Sequence, residues 1–453
     1  MRIKACVAII TISSLLLLTA CMDVLRKPFE QTIEGSFQIY WDSYTGLNSD
    51  ILFTDQLKAK YPKAKFVLSY FGRRPLYKDQ GEGDIENYHT LVEENRPGDL
   101  VLFESTLAPY LFRSGYLEPL DAYIDTDPSM SGLVPQVILD HIREQGNGQI
   151  FGLPLGKEVY ALYYNLDLFR EWGLPKPRDG MTWEEVFELA RTIEEQSLGV
   201  DQAALALQDY NLIFSQRQLR YVDPATGNPD FDNPVWDSVF PLLREIDAHH
   251  KHVKYEAEFG TSGYQQFFKK RVGMVAGRLH GSKAIAWRYP TLPFSIPVGA
   301  QWDLVSFPVF ADAPAIGPAP AYYYLGVVKN STRKKDTYQL ISHLLSDEVQ
   351  LANSQNGLAS VRSNADINSH FGERNHQLLG KNVGAYFYHS EEGSYGPEFD
   401  VYYQTENHFA FRAYPSFFET EERLKERFQV IAGEIREANQ TELSKVASLQ
   451  KDP

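Results

Sequence analysis

Gln149-Ile150-Phe151-Gly152-Leu153-Pro154, then Tyr160-Ala161-Leu162-Tyr163-Tyr164-Asn165, a helical pattern ending at Trp172-Gly173, and Thr182-Trp183-Glu184-Glu185 follow one another in the middle of the chain. Two strands and two helices are written there in order. The last four residues spell a capping box, in which the Thr182 hydroxyl accepts from the Glu185 amide while the Glu185 carboxylate reaches back to the Thr182 amide. A helix has to start at that point. Apolar residues then recur at Trp183, Val186, Phe187, Ala190 and Ile193, the three-and-four spacing that keeps one helical face in a core.

Upstream, Phe37–Trp41 reads as a strand, 50–61 as a helix, Lys65–Tyr70 as a strand, 84–95 as a helix and Asp99–Phe103 as a strand. This alternation is the signature of a parallel sheet with crossover helices. Ligands of open parallel sheets lie beyond the carboxyl ends of the strands, where strand order reverses. That rule selects Trp41, Asp42, Phe71, Glu104 and Ser105 as candidates. A helix over 106–114 closed by Gly115 leads into the opening stretch, which carries the chain out of this first lobe. Downstream, Asn233-Pro234 starts a helix with cap and N1 proline in their preferred places. Strands are expected at 271–276, 303–307 and 322–328, and helices at 335–345, 347–356 and much of 419–448. The Pro- and Gly-dense span 308–320 looks like a crossing between lobes.

With 453 residues, 43% hydrophobic and 23% charged, the chain is too long for one core and suggests two large lobes. A formal net charge of −15 argues against a nucleic-acid partner, which needs a basic face to replace phosphate counterions. Enzyme signatures are thin: no His-Glu-x-x-His, Cys-x-x-Cys, Gly-x-Ser-x-Gly or phosphate loop occurs. Ser331-Thr332-Arg333-Lys334 and Ser448-Leu449-Gln450-Lys451 match a Ser-x-x-Lys nucleophile only in letters. His249, His250 and His252, with Glu256 or Glu258, read as a solvated loop before a metal site. Glu104, Glu158 and Asp303 could supply the two carboxylates of a glycosidase, or simply accept hydrogen bonds from sugar hydroxyls. No cofactor and no metal is implied.

Several blocks in order resemble the extracellular solute-binding proteins of ABC importers, of the type best known for carbohydrates. The central block is Gly152-Leu153-Pro154, Ala161–Asn165, Leu168-Phe169, Trp172–Pro175 and Thr182–Glu185; Pro97–Val101, Gly115–Leu120, Arg271–Gly277 and Tyr324–Val328 flank it. The resemblance implies a two-lobed α/β, periplasmic-binding-protein-like fold with a ligand cleft between the lobes, and binding by hinge closure without catalysis. By position, the cleft residues would be Trp41, Glu104, Ser105, Lys157, Glu158, Arg278, Trp287 and Tyr322. The lobes would be 37–147 plus about 310–362, and 148–309 plus about 363–453. A monomer would then deliver a carbohydrate to the transmembrane subunits of an ABC permease. Where many members have paired glycines before the return strand, this chain has Pro320-Ala321-Tyr322-Tyr323-Tyr324. In this frame Tyr160–Asn165 is a buried strand, Trp172 and Trp183 are core residues, and the turn Gly156-Lys157-Glu158 faces the cleft.

The N-terminus sets the compartment. Arg2 and Lys4 precede an apolar run, Ala5–Leu18, too short for a bilayer-spanning helix but right for a signal peptide over 1–20. It ends in Leu18-Thr19-Ala20-Cys21, which resembles the lipobox of bacterial lipoproteins. Of the two cysteines, Cys6 falls in the removed segment, so no intrachain disulfide is expected. An acylated Cys21 would hold the protein on the outer face of the cell membrane through a tether over 21–36. Mass spectrometry of the N-terminal peptide is expected to show a diacylglyceryl-modified Cys21; an unmodified peptide beginning at Met1 would overturn this.

Overall fold

A computed structural model describes residues 33–42, 53–72, 86–197, 202–219, 232–250, 272–278 and 301–389, apart from 209 and 363, with isolated positions elsewhere. Cys21, Trp287 and all but a few positions of 419–448 lie outside the described residues. Among the described residues ten strands form two sheets: β1 Gly35–Asp42, β2 Ala64–Gly72, β3 Glu86–Asn87, β4 Leu100–Glu104, β5 Leu153–Lys157, β6 Tyr160–Asn165, β7 Ala203–Leu207, β8 Val272–Arg278, β9 Trp302–Ser306 and β10 Tyr322–Val327. One sheet has the order β3-β2-β1-β4-β10-β5 and the other β7-β8-β6-β9.

The expected parallel unit is present. β1 lies between β2 and β4 and runs parallel to both, so strand order reverses between β1 and β4. β10 enters antiparallel between β4 and β5. Buried on both faces, β4 and β10 are apolar or aromatic along most of their length. The helices Lys334–Leu344 and Asp347–Gln355 after β10 supply Tyr338, Leu340, Ile341, Leu344 and Val349 to the core of this lobe.

One expectation is corrected here. Leu153–Lys157, assigned with the second lobe from 148 onward, pairs instead with β10 in the six-stranded sheet. The crossing therefore falls after Lys157. Local pattern shows that a buried strand is present but carries no information about which sheet accepts its hydrogen bonds.

In the second sheet, β6 pairs antiparallel with β8 and β9. The capping box forms as read: the Thr182 amide donates to Glu185 Oε2 at 3.0 Å and the Glu185 amide donates to Thr182 Oγ1 at 3.3 Å. It opens the helix Trp183–Ser197, whose Trp183, Val186, Ala190 and Ile193 are fully buried against the sheet. Asn165 caps the preceding helix, Leu166–Trp172, which stops at Gly173 in the left-handed conformation at φ 67°. The Trp172 ring lies so close to Gly273 of β8 that a Cβ there would sit 2.8 Å from it. Trp183 is a core residue, as expected, and Trp172 is half-buried against the same core. Thr182→Ala is expected to destabilise the protein by about 1 kcal/mol, read as a lower urea midpoint with an unchanged slope.

Candidate binding site between the two sheets

Strand direction alone brings one set of ends together. β4 and β5 finish at Glu104 and Lys157, and β10 starts beside them: Tyr323 is paired with Glu104, and Tyr322 with Lys157. In the other sheet β8 finishes at Arg278, paired with Tyr160 at the start of β6. Only Glu158 and Val159 separate β5 from β6, so these ends adjoin.

Their side chains meet across the junction. Arg278 donates to Glu104 Oε1 at 3.1 Å, joining the two sheets. The Arg278 amide is fixed by the Gln208 side chain at 2.7 Å. The Tyr323 hydroxyl donates to Glu158 Oε1, and the Glu158 amide donates to the Ala321 carbonyl at 2.8 Å. Ser105 Oγ accepts from the Tyr322 amide at 3.2 Å, and the Tyr160 hydroxyl accepts from the Ala321 amide at 3.2 Å. Lys157 is held by its amide bond to the Ala359 carbonyl at 2.9 Å. Burial, then the neighbouring Glu158 and Glu104 carboxylates, push the Tyr323 hydroxyl far above its ordinary pKa. Burial is also the largest cause at Tyr160, with Arg278 opposing it. Both phenols stay neutral, able to donate as well as accept.

Six of the candidates, Glu104, Ser105, Lys157, Glu158, Arg278 and Tyr322, thus share one junction. Trp41 has a core setting: its side chain is 1% exposed and meets Phe53 edge-on at 5.3 Å. Phe71 is likewise in the core. Asp303 pairs with Tyr164, four residues beyond Tyr160 on β6, which puts it about 13 Å along the strand. It cannot act with Glu104 or Glu158 as a carboxylate pair. Tyr160 and Tyr323 also belong to the junction; the sequence marked Tyr160 only as a strand residue and Tyr323 as part of the bulky run before the return strand. Their signal was position, since each sits at the start of a strand that begins directly after a crossing.

Of the remaining sequence features, Ser448–Lys451, His252, Glu256 and Glu258 lie outside the described residues, and His249, expected in a solvated loop, is buried at the end of the helix Val235–His250. Ser331 donates to Asp99 Oδ1 at 2.6 Å and accepts from the Arg333 amide, while Lys334 pairs with Glu118 at 2.8 Å. The buried His249 has its Nδ1 2.8 Å from Glu194 Oε1 and its ring stacked on Phe187. Among the described residues no group of three metal-binding side chains occurs, and no helix is long and apolar enough to cross a membrane.

A family model, the bacterial extracellular solute-binding protein, matches residues 55–351. The chain belongs to this family. Its solute-binding fold recurs in solved structures at low identity. One is an ABC substrate-binding protein from Listeria monocytogenes in complex with cycloalternan, with TM-score 0.63, 15% identity, and coverage of 89% of this chain and 99% of that one. Another, from Thermotoga lettingae with bound alpha-D-tagatose, has TM-score 0.61, 14% identity and coverage of 90% and 100%. The sugar-binding protein MalE of Xanthomonas citri has TM-score 0.61, 13% identity and coverage of 92% and 100%. As a solute-binding protein the chain works outside the cytoplasm.

Removing Arg278 takes from Glu104, whose side chain is 5% exposed, the guanidinium that donates to it at 3.1 Å. Arg278→Ala is expected to cost about 2 kcal/mol of stability. The double variant Arg278→Ala/Glu104→Gln is expected to recover part of that loss, and strict additivity of the two changes in chemical denaturation would refute the coupling.

Proposed function

We propose that this solute-binding protein captures an uncharged or acidic carbohydrate between its lobes and hands it to the transmembrane subunits of an ABC permease. The observation that carries the reading is the convergence of strand ends from both sheets on Glu104, Ser105, Lys157, Glu158, Arg278, Tyr322 and Tyr323. Carboxylates accept from sugar hydroxyls, guanidinium and phenol groups donate to them, and aromatic rings cover the apolar faces of pyranoses. The solutes named for similarly folded proteins, cycloalternan, tagatose and mannitol among them, support the same class. Trp287 remains a candidate ring on sequence position.

The lobes of this reading are 37–147 with about 310–362 and 148–309 with about 363–453, the first extended to Lys157 by the pairing of β5. They would hinge where β5 passes to β6 and β9 to β10. Acylated Cys21 would hold the monomer at the extracytoplasmic face of the membrane. The role is binding and not catalysis. Glu104 and Glu158 are engaged by Arg278 and Tyr323, which suits fixed acceptors better than a proton-transferring pair.

Thermal melting against mono- and oligosaccharides, polyols and peptides tests the solute class. A sugar at a hundred times its dissociation constant is expected to add about 2.7 kcal/mol, and Glu158→Gln is expected to shrink that shift without any hydrolysis of the sugar. A shift with peptides alone would overturn the class. Turnover that disappears in Glu158→Gln would instead establish a hydrolase.

A further inference from the structure

Between β9 and β10 the chain returns from one lobe to the other through a stretch holding Pro308, Pro314, Pro318 and Pro320. Most of that stretch is bound to the second lobe. The Trp183 amide donates to the Val309 carbonyl at 2.9 Å, and the Val309 amide donates to the Met181 carbonyl at 3.1 Å. Phe310 is buried in one core with Leu212, Ile213 and Phe214. The His389 ring, with Nε2 2.7 Å from the Phe307 carbonyl, covers Gly317 so closely that a Cβ there would meet it at 3.3 Å.

Leu212, Ile213 and Phe214 belong to the short helix Asn211–Gln216 that follows β7. The end of this helix holds the crossing. Gln216, 3% exposed, accepts from Trp183 Nε1 at 3.2 Å and donates to the Pro308 and Ile316 carbonyls at 2.8 and 3.2 Å. Arg217 forks onto Asp312 at 2.9 and 2.8 Å and lies 3.7 Å over the Phe310 ring. Ser215 Oγ accepts from the Ala319 amide at 3.1 Å. From Tyr322 onward the partners are those of the first lobe: its amide donates to Ser105 Oγ, and it pairs with Lys157. Pro320 and Ala321 lie between the two anchorages.

Proline locks its own φ near −65° and restricts the residue before it. Rotation between the anchorages is thereby confined to a few torsions around Pro320 and Ala321. A buried glutamine that spends both amide hydrogens on carbonyls of one loop fixes that loop in one place. We infer that residues 308–319 move as part of the second lobe, that Pro320-Ala321 is the pivot of this crossing, and that Ser215 and Gln216 are positioning residues acting through the crossing on Tyr322 and Tyr323. The first lobe then resumes at Tyr322 and not near 310. This rests on the reading of the protein as two lobes that close by a hinge, and it says where in this crossing the hinge turns.

Double electron–electron resonance without any solute tests it, in the chain carrying Cys6→Ser and Cys21→Ser. Nitroxides are placed in pairs at the exposed positions Val137→Cys on the first lobe, Glu188→Cys on the second and Ala315→Cys on the crossing. The 188–315 distance is expected to be narrowly distributed. Pro320→Gly is expected to widen the 137–188 distribution about twofold, because glycine frees the pivot, while leaving 188–315 unchanged. Pro314→Gly, the same change inside the bound stretch, is expected to leave 137–188 unchanged. Ser215→Ala and Gln216→Leu are expected to widen 188–315. A 315 label that keeps its distance to 137 and not to 188, no effect of Pro320→Gly, equal widening by Pro314→Gly, or a 188–315 distribution indifferent to both helix variants would each overturn the inference. Since no solute takes part, failure to bind carbohydrate would leave these distances as they are, and failure of the pivot would leave the carbohydrate reading standing.

Discussion

Glu158 ties together two of the passages between the sheets. Its amide donates to the Ala321 carbonyl and its carboxylate accepts from Tyr323, so the passage from β5 to β6 is tied to the passage into β10. The bond is local in space and remote in sequence. Together with the Tyr160 hydroxyl, which accepts from the Ala321 amide, it fixes the relation of the two crossings. The antiparallel entry of β10 between β4 and β5 follows from the same arrangement. A chain that leaves one lobe along β5 and returns from the other must run back in the opposite sense to pair with it.

Burying charge at such a junction is costly unless each charge has a partner. Glu104 stands against Arg278 and Glu158 accepts from Tyr323, and neutral tyrosine hydroxyls and backbone amides supply further hydrogen bonds. Donors and acceptors lie close together there. A polyhydroxyl solute, which donates and accepts at almost every carbon, is the ligand to which such an array is best matched.

Much of this was legible in the sequence, for a physical reason. Capping and periodicity act over three or four residues, so Thr182–Glu185 and the buried face from Trp183 to Ile193 could be read directly and occur as read. The strand-end rule found Glu104 and Ser105 because parallel topology is itself written in the alternation of strand and helix. What could not be read depended on pairing at long range. β5 looked like the start of the second lobe but hydrogen-bonds to β10, more than 160 residues later in the chain. Trp41 was read from its place at a strand end, yet its side chain packs against Phe53. Strand ends locate the backbone at a site; which way a ring turns is decided by neighbours that the local pattern does not name.

The two ends of the six-stranded sheet hold their charged side chains differently. At the carboxyl ends the charged side chains answer one another across the crossings, so their orientation depends on both lobes. At the amino ends Lys60, Lys63 and Lys335 are set on the first lobe alone, beside an Asp127 held within its own hydrogen bonds. The rigid β1 and β2 strands separate the two places, and side-chain charge at one is screened from the other over more than two Debye lengths at physiological salt. Two continuous stretches of chain run from the one place to the other, Glu104 to Ser129 and Tyr322 to Ser346.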